Sequence, residues 1–552
     1  MGSQHLLRML NEIADGQGSP DMLNQLEQLA ETVKSGSLCG LGQTIPNSIL
    51  STIRYFRKEL EDHLVKKQCE AMACKGIISS PCQYTCPIGQ DVPTYIAHIA
   101  NEDFDRAIEI IRRENPFPGI CGRVCPHECE KNCEAGKYDK PISIRSLKRF
   151  AADYEVKKGL MPEMAEVKYE EKIAIIGAGP AGLSAAWFLT QEGYECTVYE
   201  KLDVAGGMLA VGIPDYRLPE SILKYEIDYI KKAGVTIKTG MSLGSDFSIE
   251  SLKAEGYKAI FVATGAHQAT PLRIEGEENR AVIPGVSFLR DINLGKEVKI
   301  GNRVAVIGGG NVAVDSARAA RRMGSEDVFI LYRRTQEEMP AHMEEIQQLK
   351  DEKIPVEFLA APAKVVELNG RFQGIECVKM ELAEPDSSGR RRPVPIEGSE
   401  YTLECDNVIS AIGQRPELDG IDDTGIDISK WDTIDADLEL FSTSMEGVFA
   451  GGDVVSGPDT VINAIAHGKT AARSIGQYLR GQTIKAEYAP VCPAECIAPA
   501  ELTDDEVTSL ARPEMPCVAG KKRVDSFIEV EKGLTREMAV LEAKRCLRCD
   551  SE

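Results

Sequence analysis

Short apolar runs that alternate with helical patterns dominate the middle of the chain. These runs suit strands buried on both faces, and they occupy residues 173–176, 197–199, 259–263, 304–307 and 328–332. A segment of small and apolar residues with helical character follows the first and the fourth run. Strands that alternate with helices in this way predict an α/β fold with parallel sheets.

The sequence on either side of this region lacks that alternation. Residues 1–65 hold three segments with apolar residues at helical spacing, LLRMLNEIADG, MLNQLEQLAETVKSG and SILSTIRYFRKELEDHL. These segments predict a short helical bundle that could act as a docking element. Residues 66–165 and 486–552 contain most of the cysteines.

Length and charge narrow the class of protein. A chain of 552 residues is too long for one core, so three or four domains are expected. The formal charge of -22 argues against a nucleic-acid binder, which needs a basic face. No apolar run suits a membrane span and the first residues do not resemble a signal peptide, so we expect a cytoplasmic protein.

A glycine-rich turn follows the first apolar run, in the sequence Gly177-Ala-Gly179-Pro-Ala-Gly182. Gly177 permits the tight turn, Gly179 lets the backbone approach a pyrophosphate, and Gly182 lets helix and strand pack closely. Glu200 ends the next strand about 20 residues later, where a carboxylate accepts hydrogen bonds from a ribose. With the strand, the helix and the acid all in place, this motif predicts a Rossmann-like dinucleotide site rather than a turn without a ligand.

Further elements that suit the same site follow Glu200. The sequence lacks a CxxxxC motif after this point, which excludes a dithiol relay there. Together the elements resemble flavoproteins with two dinucleotide-binding domains. The resemblance implies that Asp453 binds the ribityl or phosphate region of FAD, whereas alone it would be read as a helix N-cap. The other candidate FAD contacts are Gly206, Gly207, Arg217, Thr264, Gly265, Gly413, Gly452 and Asn463.

A second strand–glycine–helix unit begins at residue 303. Its turn contains Gly308, Gly310, Asn311 and Ala313, and the next strand ends in Arg333-Arg334 instead of an acid. A guanidinium pair suits a 2′-phosphate, so the site favours NADP(H) over NAD(H) by roughly three to one. The alternative is that both arginines are solvated surface charges.

Two runs of cysteine lie between residues 69 and 133. Eight thiolates in a short polar segment match two 4Fe–4S clusters, and zinc is the main rival because four thiolates also suit it. The cysteine–proline pairs favour iron–sulfur. The candidate ligands are Cys69, Cys74, Cys82, Cys86, Cys121, Cys125, Cys129 and Cys133.

These runs, together with the YRRTQEEMPAHMEE stretch, resemble the small subunit of glutamate synthase over about residues 66–552. The resemblance implies that Cys69, Cys74, Cys82 and Cys133 hold one cluster and that Cys86, Cys125 and Cys129 hold another. The family often completes the second cluster with Glu or Gln, and the matching position here is Lys148, which cannot ligate iron. We infer that Cys121, which the family pattern lacks, takes the vacant place.

The stretch SLCGLGQTIPNSILSTIRYFRKELEDHL resembles the C-terminal iron–sulfur domain of the NADH-binding flavin subunit of complex I. Only the fourth cysteine of that family, Cys39, is present. Three explanations stay open: ligands from a partner chain, a start at an internal Met of a longer protein, or a relic. In the tail, Cys492, Cys496, Cys517, Cys546 and Cys549 form a further cluster, serve a partner's cluster, or stay free.

The resemblances imply an NADPH-dependent oxidoreductase subunit. Electrons pass from NADP(H) through FAD, which exchanges two electrons for single ones, and through the clusters to a partner subunit. The partner is glutamate synthase large subunit-like, or, in an electron-bifurcating transhydrogenase or hydrogenase-type complex, complex I flavin-subunit-like, with ferredoxin as a further candidate. A non-catalytic wiring subunit is the remaining alternative.

We therefore expect two Rossmann-like domains, preceded by an all-α iron–sulfur domain and a short helical bundle. The expected units are the bundle at 1–65, the iron–sulfur domain at 66–165, the FAD domain in two parts at 166–300 and 405–485, the NAD(P) domain at 301–404, and the tail at 486–552.

Overall fold

Two parallel β-sheets with flanking helices form the centre of the computed structural model of this protein. The structure describes residues 2–385, 389–421, 424–503, 506 and 511–551. Its strands are β1 (Lys172–Ile176), β2 (Glu195–Tyr199), β3 (Thr236–Lys238), β4 (Tyr257–Val262), β5 (Gln268–Ala269), β6 (Val282–Pro284), β7 (Arg303–Ile307), β8 (Asp327–Tyr332), β9 (Val356–Phe358), β10 (Ala360–Leu368), β11 (Arg371–Pro385), β12 (Arg391–Pro395), β13 (Tyr401–Glu404), β14 (Asn407–Ser410), β15 (Gln414–Arg415) and β16 (Val448–Ala450).

Helices cover the sheets and make up the N-terminal part of the chain. They are α1 (Gly2–Ala14), α2 (Met22–Gly36), α3 (Gly40–Val65), α4 (Pro81–Thr85), α5 (Val92–Ala100), α6 (Phe104–Glu114), α7 (Pro118–Val124), α8 (Glu128–Lys131), α9 (Ile144–Lys158), α10 (Pro180–Glu192), α11 (Met208–Val211), α12 (Glu220–Lys232), α13 (Ile249–Ala254), α14 (Gly285–Asn293), α15 (Asn311–Arg322), α16 (Met343–Asp351), α17 (Asp453–Ser456), α18 (Val461–Leu479), α19 (Lys521–Val524) and α20 (Arg536–Lys544). Two 3₁₀ turns lie at Glu134–Lys137 and Gln336–Glu338.

The first sheet has the strand order β16-β4-β1-β2-β3, and all its neighbours are parallel. Its central strand β1 is buried on both faces, because Ile173 and Ile175 pack against α10 and α18 while Ala174 and Ile176 pack on the other side. This burial explains why an unbroken apolar run, rather than an alternating one, forms the strand.

The second sheet has the order β6-β14-β7-β8-β9 and is also parallel. Its strands β6 and β14 lie outside the range 301–404 that the sequence suggests for this domain. The run that ends at Gly413, which reads as part of the first domain, thus belongs by pairing to the second one. The α/β class with two dinucleotide-type units is confirmed.

The helices before residue 160 form two packed groups, each around its own apolar core. Helices α1 to α3 share a small apolar core that includes Leu6, Leu26 and Ile53. Helices α5, α6 and α9 surround a second core that includes Tyr95, Ile111 and Leu147. Across the described ranges, no helix combines the length and the apolar character that crossing a bilayer requires.

One buried guanidinium joins the cysteine-rich helices to the first α/β unit. Arg112 of α6 pairs with Glu155 of α9 at 2.5 Å and with Glu226 of α12 at 2.7 Å. Its Nη1 also donates a hydrogen bond to the Pro116 carbonyl at 2.6 Å. Burial raises the pKa of Glu226 to about 7, although the Arg112 cation opposes that rise. Since a buried charge is costly unless it is paired, these contacts tie α6, α9 and α12 together.

Replacing Arg112 with Met should destabilise the protein strongly, because two buried carboxylates lose their cation. We expect the free energy of unfolding to fall by about 3–5 kcal/mol, measured from urea denaturation midpoints. Arg113→Met is the matched control, since Arg113 pairs with Glu109 at 3.1 Å on the surface. Equal effects of the two substitutions would contradict the role assigned to Arg112.

Candidate functional site

A cavity of about 440 Å³ opens at the carboxyl ends of the first sheet's strands. Its wall contains residues from both glycine-rich turns and one residue of the cysteine-rich helices, Val124. Carboxyl ends of parallel strands are the usual ligand-binding edge of an open α/β sheet. The predicted residues that line it are Gly177, Gly179, Glu200, Gly207, Arg217, Thr264, Gly265, Asn311, Gly452 and Asp453.

The turn after β1 is shaped for close approach of a ligand. Gly177 has φ +108°, and a Cβ there would lie 2.3 Å from the Ala263 carbonyl oxygen. At Gly179, by contrast, the neighbouring space is empty, because a Cβ there would meet no atom within 4 Å. The backbone at Gly179 therefore borders open space at the start of α10, where the first N–H groups of the helix face outward. This space suits a pyrophosphate.

Glu200 ends β2 and fixes the glycine turn. Its carboxylate accepts hydrogen bonds from the N–H of Ala178 at 2.8 Å and of Leu202 at 2.9 Å. Burial raises its pKa, and the hydrogen bonds from these N–H groups oppose that rise. The carboxylate has further lone pairs toward the cavity edge, so it can also accept from a ribose hydroxyl.

Two polar atoms in the cavity wall lack partners. Thr264 Oγ1 and Arg290 Nε are buried, and neither has a hydrogen-bond partner in the part of the chain that the structure describes. Both residues line the cavity, next to His267, whose pKa burial lowers to about 4. Buried donors and acceptors without partners are costly, so they indicate that a polar ligand belongs here.

The loop from Gly452 to Thr460 closes the other side. Thr460 caps α18 by accepting from the Asn463 N–H at 3.4 Å, so α18 starts at the cavity. Burial raises the pKa of Asp453 to about 7. Asn463 itself does not line the cavity. Its Nδ2 donates a hydrogen bond to the Asp459 carboxylate at 2.8 Å.

Several predicted contacts lie near the cavity without lining it. Gly206 faces the side chains of Ala210 and Leu223, and Gly413 faces Thr270. Sequence reasoning missed the wall residues that no motif contains, such as Met208, Met241, Ser242, His267, Arg290 and Gln414. Their only signal is tertiary, since separate helices, strands and loops bring them to the same sheet edge.

The second glycine-rich turn joins β7 to α15. Gly308, Gly310 and Ala313 stand where the motif places them, and Asn311 Oδ1 accepts from the His342 N–H at 3.3 Å. The two arginines after β8 differ in their surroundings. Arg333 is exposed, whereas Arg334 is buried and its Nε donates to the Arg391 carbonyl at 2.7 Å. Arg333 is therefore the one that is open to a nucleotide phosphate.

Arg217 links the two nucleotide units. It pairs with Asp315 of α15 at 2.5 Å and with Glu345 of α16 at 2.8 Å. Burial lowers the pKa of this guanidinium, but the Asp315 and Glu345 carboxylates outweigh that and raise it. Asp315 and His342 also line the cavity, so the space next to the first motif continues to the second.

Four of the predicted cysteine ligands surround a buried lysine. Burial lowers the pKa of the Lys148 amine, but nearby thiols outweigh this effect and raise the pKa overall. These thiols belong to Cys86, Cys121, Cys125 and Cys129. A Cβ at Gly122 would lie 2.6 Å from the Arg149 Cα, so α7 and α9 pack in close contact at this point. Cys121 thus lies with the other three thiols near Lys148.

Two of the other four predicted ligands lie beside a histidine. Cys69 and Cys74 lie with His63, and the three ligand atoms are all within 4.8 Å of one another. Burial raises the pKa of Cys69, but hydrogen bonds from the Ala73 and Cys74 backbone and from the side chains of Cys74 and His63 hold it below its usual value. Imidazole and thiolate ligands suit zinc or iron. Sequence reasoning missed His63, whose only signal is its position shortly before Cys69.

These features define a flavoprotein oxidoreductase with an attached iron–sulfur region. The chain belongs to the pyridine nucleotide-disulphide oxidoreductase family, whose sequence model matches residues 171–468. Residues 53–160 match domain II of dihydropyrimidine dehydrogenase, with its 4Fe–4S cluster, and residues 1–63 match the iron–sulfur binding region of NADH-ubiquinone oxidoreductase F. FAD, NADP(H) and 4Fe–4S clusters as cofactors are thereby confirmed, and so is the class of NAD(P)H-dependent enzyme.

Relatives match over most of the chain. The beta subunit of NADP(+)-dependent formate dehydrogenase from Moorella thermoacetica is 39% identical over 100% of this chain and 87% of its own. The small chain of NADPH glutamate synthase from Azospirillum brasilense is 33% identical over 75% of this chain and 88% of its own. FprA from Mycobacterium tuberculosis shares the fold, with a TM-score of 0.50 and 20% identity. The match covers 58% of this chain and 88% of FprA.

The residues described above bind and orient rather than react. When bound, FAD exchanges a hydride with a nicotinamide and single electrons with iron–sulfur clusters. The Gly179 turn and the start of α10 would hold its phosphates, Glu200 its ribose, and Thr264 and Arg290 its polar edges. Asn311 and His342 border the second turn, where the other nucleotide would lie. Val124 closes the wall toward the cysteines.

Replacing Gly179 with Ala should weaken FAD binding without unfolding the protein. The new Cβ fills only open space, so we expect an unchanged urea midpoint for the flavin-free chain. FAD affinity should fall about tenfold or more, since crowding costs roughly 1–3 kcal/mol. Gly36→Ala in α2, where a Cβ also meets no atom within 4 Å, is the control. An unchanged dissociation constant for FAD in the Gly179 variant would exclude the phosphate at this turn.

Replacing Arg333 with Ala should weaken NADPH binding and spare NADH. We expect KM for NADPH to rise roughly tenfold or more, because a hydrogen bond to a charged group contributes about 1.5–3 kcal/mol. Steady-state reduction of ferricyanide with each nucleotide measures the two KM values. Arg303→Ala, at the opposite end of the second sheet, is the control. Parallel changes with both nucleotides would show that Arg333 does not recognise the 2′-phosphate.

Proposed function

We propose that this protein is the NADP(H)-reacting subunit of a larger electron-transfer enzyme. In this proposal FAD lies in the cavity, NADP(H) reaches it from the second glycine turn, and the iron–sulfur centres connect it to a partner subunit. The observation that carries the proposal is the shared wall: Gly179, Asn311 and Val124 all border one cavity. A hydride donor, a flavin and a cluster must meet at such a place.

We further propose that Cys86, Cys121, Cys125 and Cys129 hold the cluster nearest the flavin. Cys86, Val124 and Cys125 pack against the apolar core of the first α/β unit, so this group lies on the side of the cavity. The buried Lys148 cation next to it offsets part of the negative charge of four thiolates. A cation next to a cluster favours its reduced state, because the cation stabilises the added negative charge.

The partner, in our proposal, is another redox subunit of such an enzyme and not a glutamate-forming one. The relatives that match along the whole chain are named as beta subunits of an NADP(+)-dependent formate dehydrogenase and, in Geobacter sulfurreducens, of an NADPH-Fe(3+) oxidoreductase, the latter at 38% identity over 99% of this chain and 87% of its own. The glutamate synthase small chain from Azospirillum matches only 75% of it. We place the enzyme in the cytoplasm, where its thiols stay reduced.

Anaerobic titration of the purified chain with NADPH and then with NADH tests this function. We expect NADPH to bleach the FAD absorbance at about one equivalent per flavin, with NADH much less effective. Electron paramagnetic resonance should then show reduced clusters, since the flavin passes electrons on. Flavin that stays oxidised with both nucleotides would instead support a non-catalytic wiring subunit.

A further inference from the structure

The tail of the chain folds back onto the cysteine-rich helices. Helix α20 places Ala539 and Ala543 in the apolar core that α5, α6 and α9 share. The Glu542 carboxylate accepts from the Ser143 N–H at 2.6 Å, and Arg545 donates to the Lys140 carbonyl at 2.8 Å. Glu542 is fully buried. The end of α20 is therefore a fixed part of this domain.

Two tail cysteines follow directly after α20. Cys82, Cys129, Cys133 and Cys546 pack against the same apolar core, and the Lys75 amine donates to the Cys549 carbonyl at 3.2 Å. The tail therefore brings Cys546 to the core that Cys82 and Cys133 contact, and it brings Cys549 to the segment just before α4.

We propose that Cys82, Cys133, Cys546 and Cys549 together hold one 4Fe–4S cluster, with ligands from three separate segments of the chain. The inference rests on the proposed function for its cofactor type. Each thiol releases one proton to solvent as its sulfur binds iron, and no electron is needed for this step. Four thiolates are the ligand set of a 4Fe–4S cluster.

The remaining two cysteines of the first run explain why the tail is required. Cys69 and Cys74 lie with His63, at the junction of α3 and the cysteine-rich helices. In our proposal Cys69 and Cys74 keep His63 as their neighbour, and the tail supplies the two thiols that Cys82 and Cys133 need.

A buried cation lies beside the proposed cluster. Arg548, between the two tail cysteines, is 2% exposed and pairs with Asp550 at 2.5 Å. Its Nη1 is buried and has no hydrogen-bond partner within the described ranges. A guanidinium with one open donor next to thiolates suits a negatively charged cluster, whose sulfurs accept hydrogen bonds.

The test of the tail cluster compares three variants of the whole chain, one double and two single, all purified without oxygen. Cys546→Ser with Cys549→Ser should lose about four iron atoms and four sulfides per flavin, together with one resonance signal of the dithionite-reduced protein. Cys121→Ser should disturb a different signal. Cys517→Ser, at an exposed tail cysteine, is the matched control and should keep every signal.

Retained FAD absorbance and an unchanged elution volume show that a variant is folded. If the double variant does not fold, Cys549→Ser alone decides, because an oxygen ligand in place of sulfur should shift the signal and the reduction midpoint of one cluster only. Unchanged iron and unchanged signals in the tail variants overturn the proposal. So does loss of the same signal in a variant with Cys69→Ser and Cys74→Ser. Iron is counted without any nucleotide, so a failed NADPH titration is a separate result.

Discussion

The arrangement of the redox centres depends on the buried guanidinium of Arg112. It is held between Glu155 and Glu226, and a charge this deep is tolerated only in the one geometry that pairs it. Glu226 also accepts the Gly119 N–H at 2.6 Å, at the start of α7. The same contacts therefore fix α7, whose last residue Val124 lines the cavity and precedes Cys125. In the proposed arrangement, this packing sets the distance between the flavin and the cluster.

A second set of buried ion pairs joins the two nucleotide units. Arg217 reaches Asp315 and Glu345, and Arg318 in turn pairs with Glu352 at 2.8 Å without solvent exposure. The Tyr216 hydroxyl donates to the Asp315 carbonyl at 3.1 Å. Of these groups, Arg217 and Asp315 line the cavity, at the place where it passes from one glycine turn to the other. The ion pairs therefore fix the position of the second glycine turn relative to the first.

The N-terminal bundle and the tail both contact the cysteine-rich region. The last turn of α3 places His63 next to Cys69 and Cys74, and the tail returns to the core that Cys82 and Cys133 contact. Relatives that match along this chain are named as beta subunits. In the proposed route, electrons that leave the flavin toward Cys125 enter the cysteine-rich region, which the tail also contacts.

The sequence alone determined the features that depend on neighbours in the chain. A strand, a glycine turn and a helix form from adjacent residues, so Gly177, Gly179 and Glu200 could be placed by spacing, as could the second turn at Gly308. Tertiary structure alone decided the meetings of distant segments. It brings Cys546 to the same apolar core as Cys82, buries Arg334 while Arg333 stays exposed, and pairs β14 with the second sheet. Contacts across hundreds of residues arise from packing and paired buried charges, which no local spacing records.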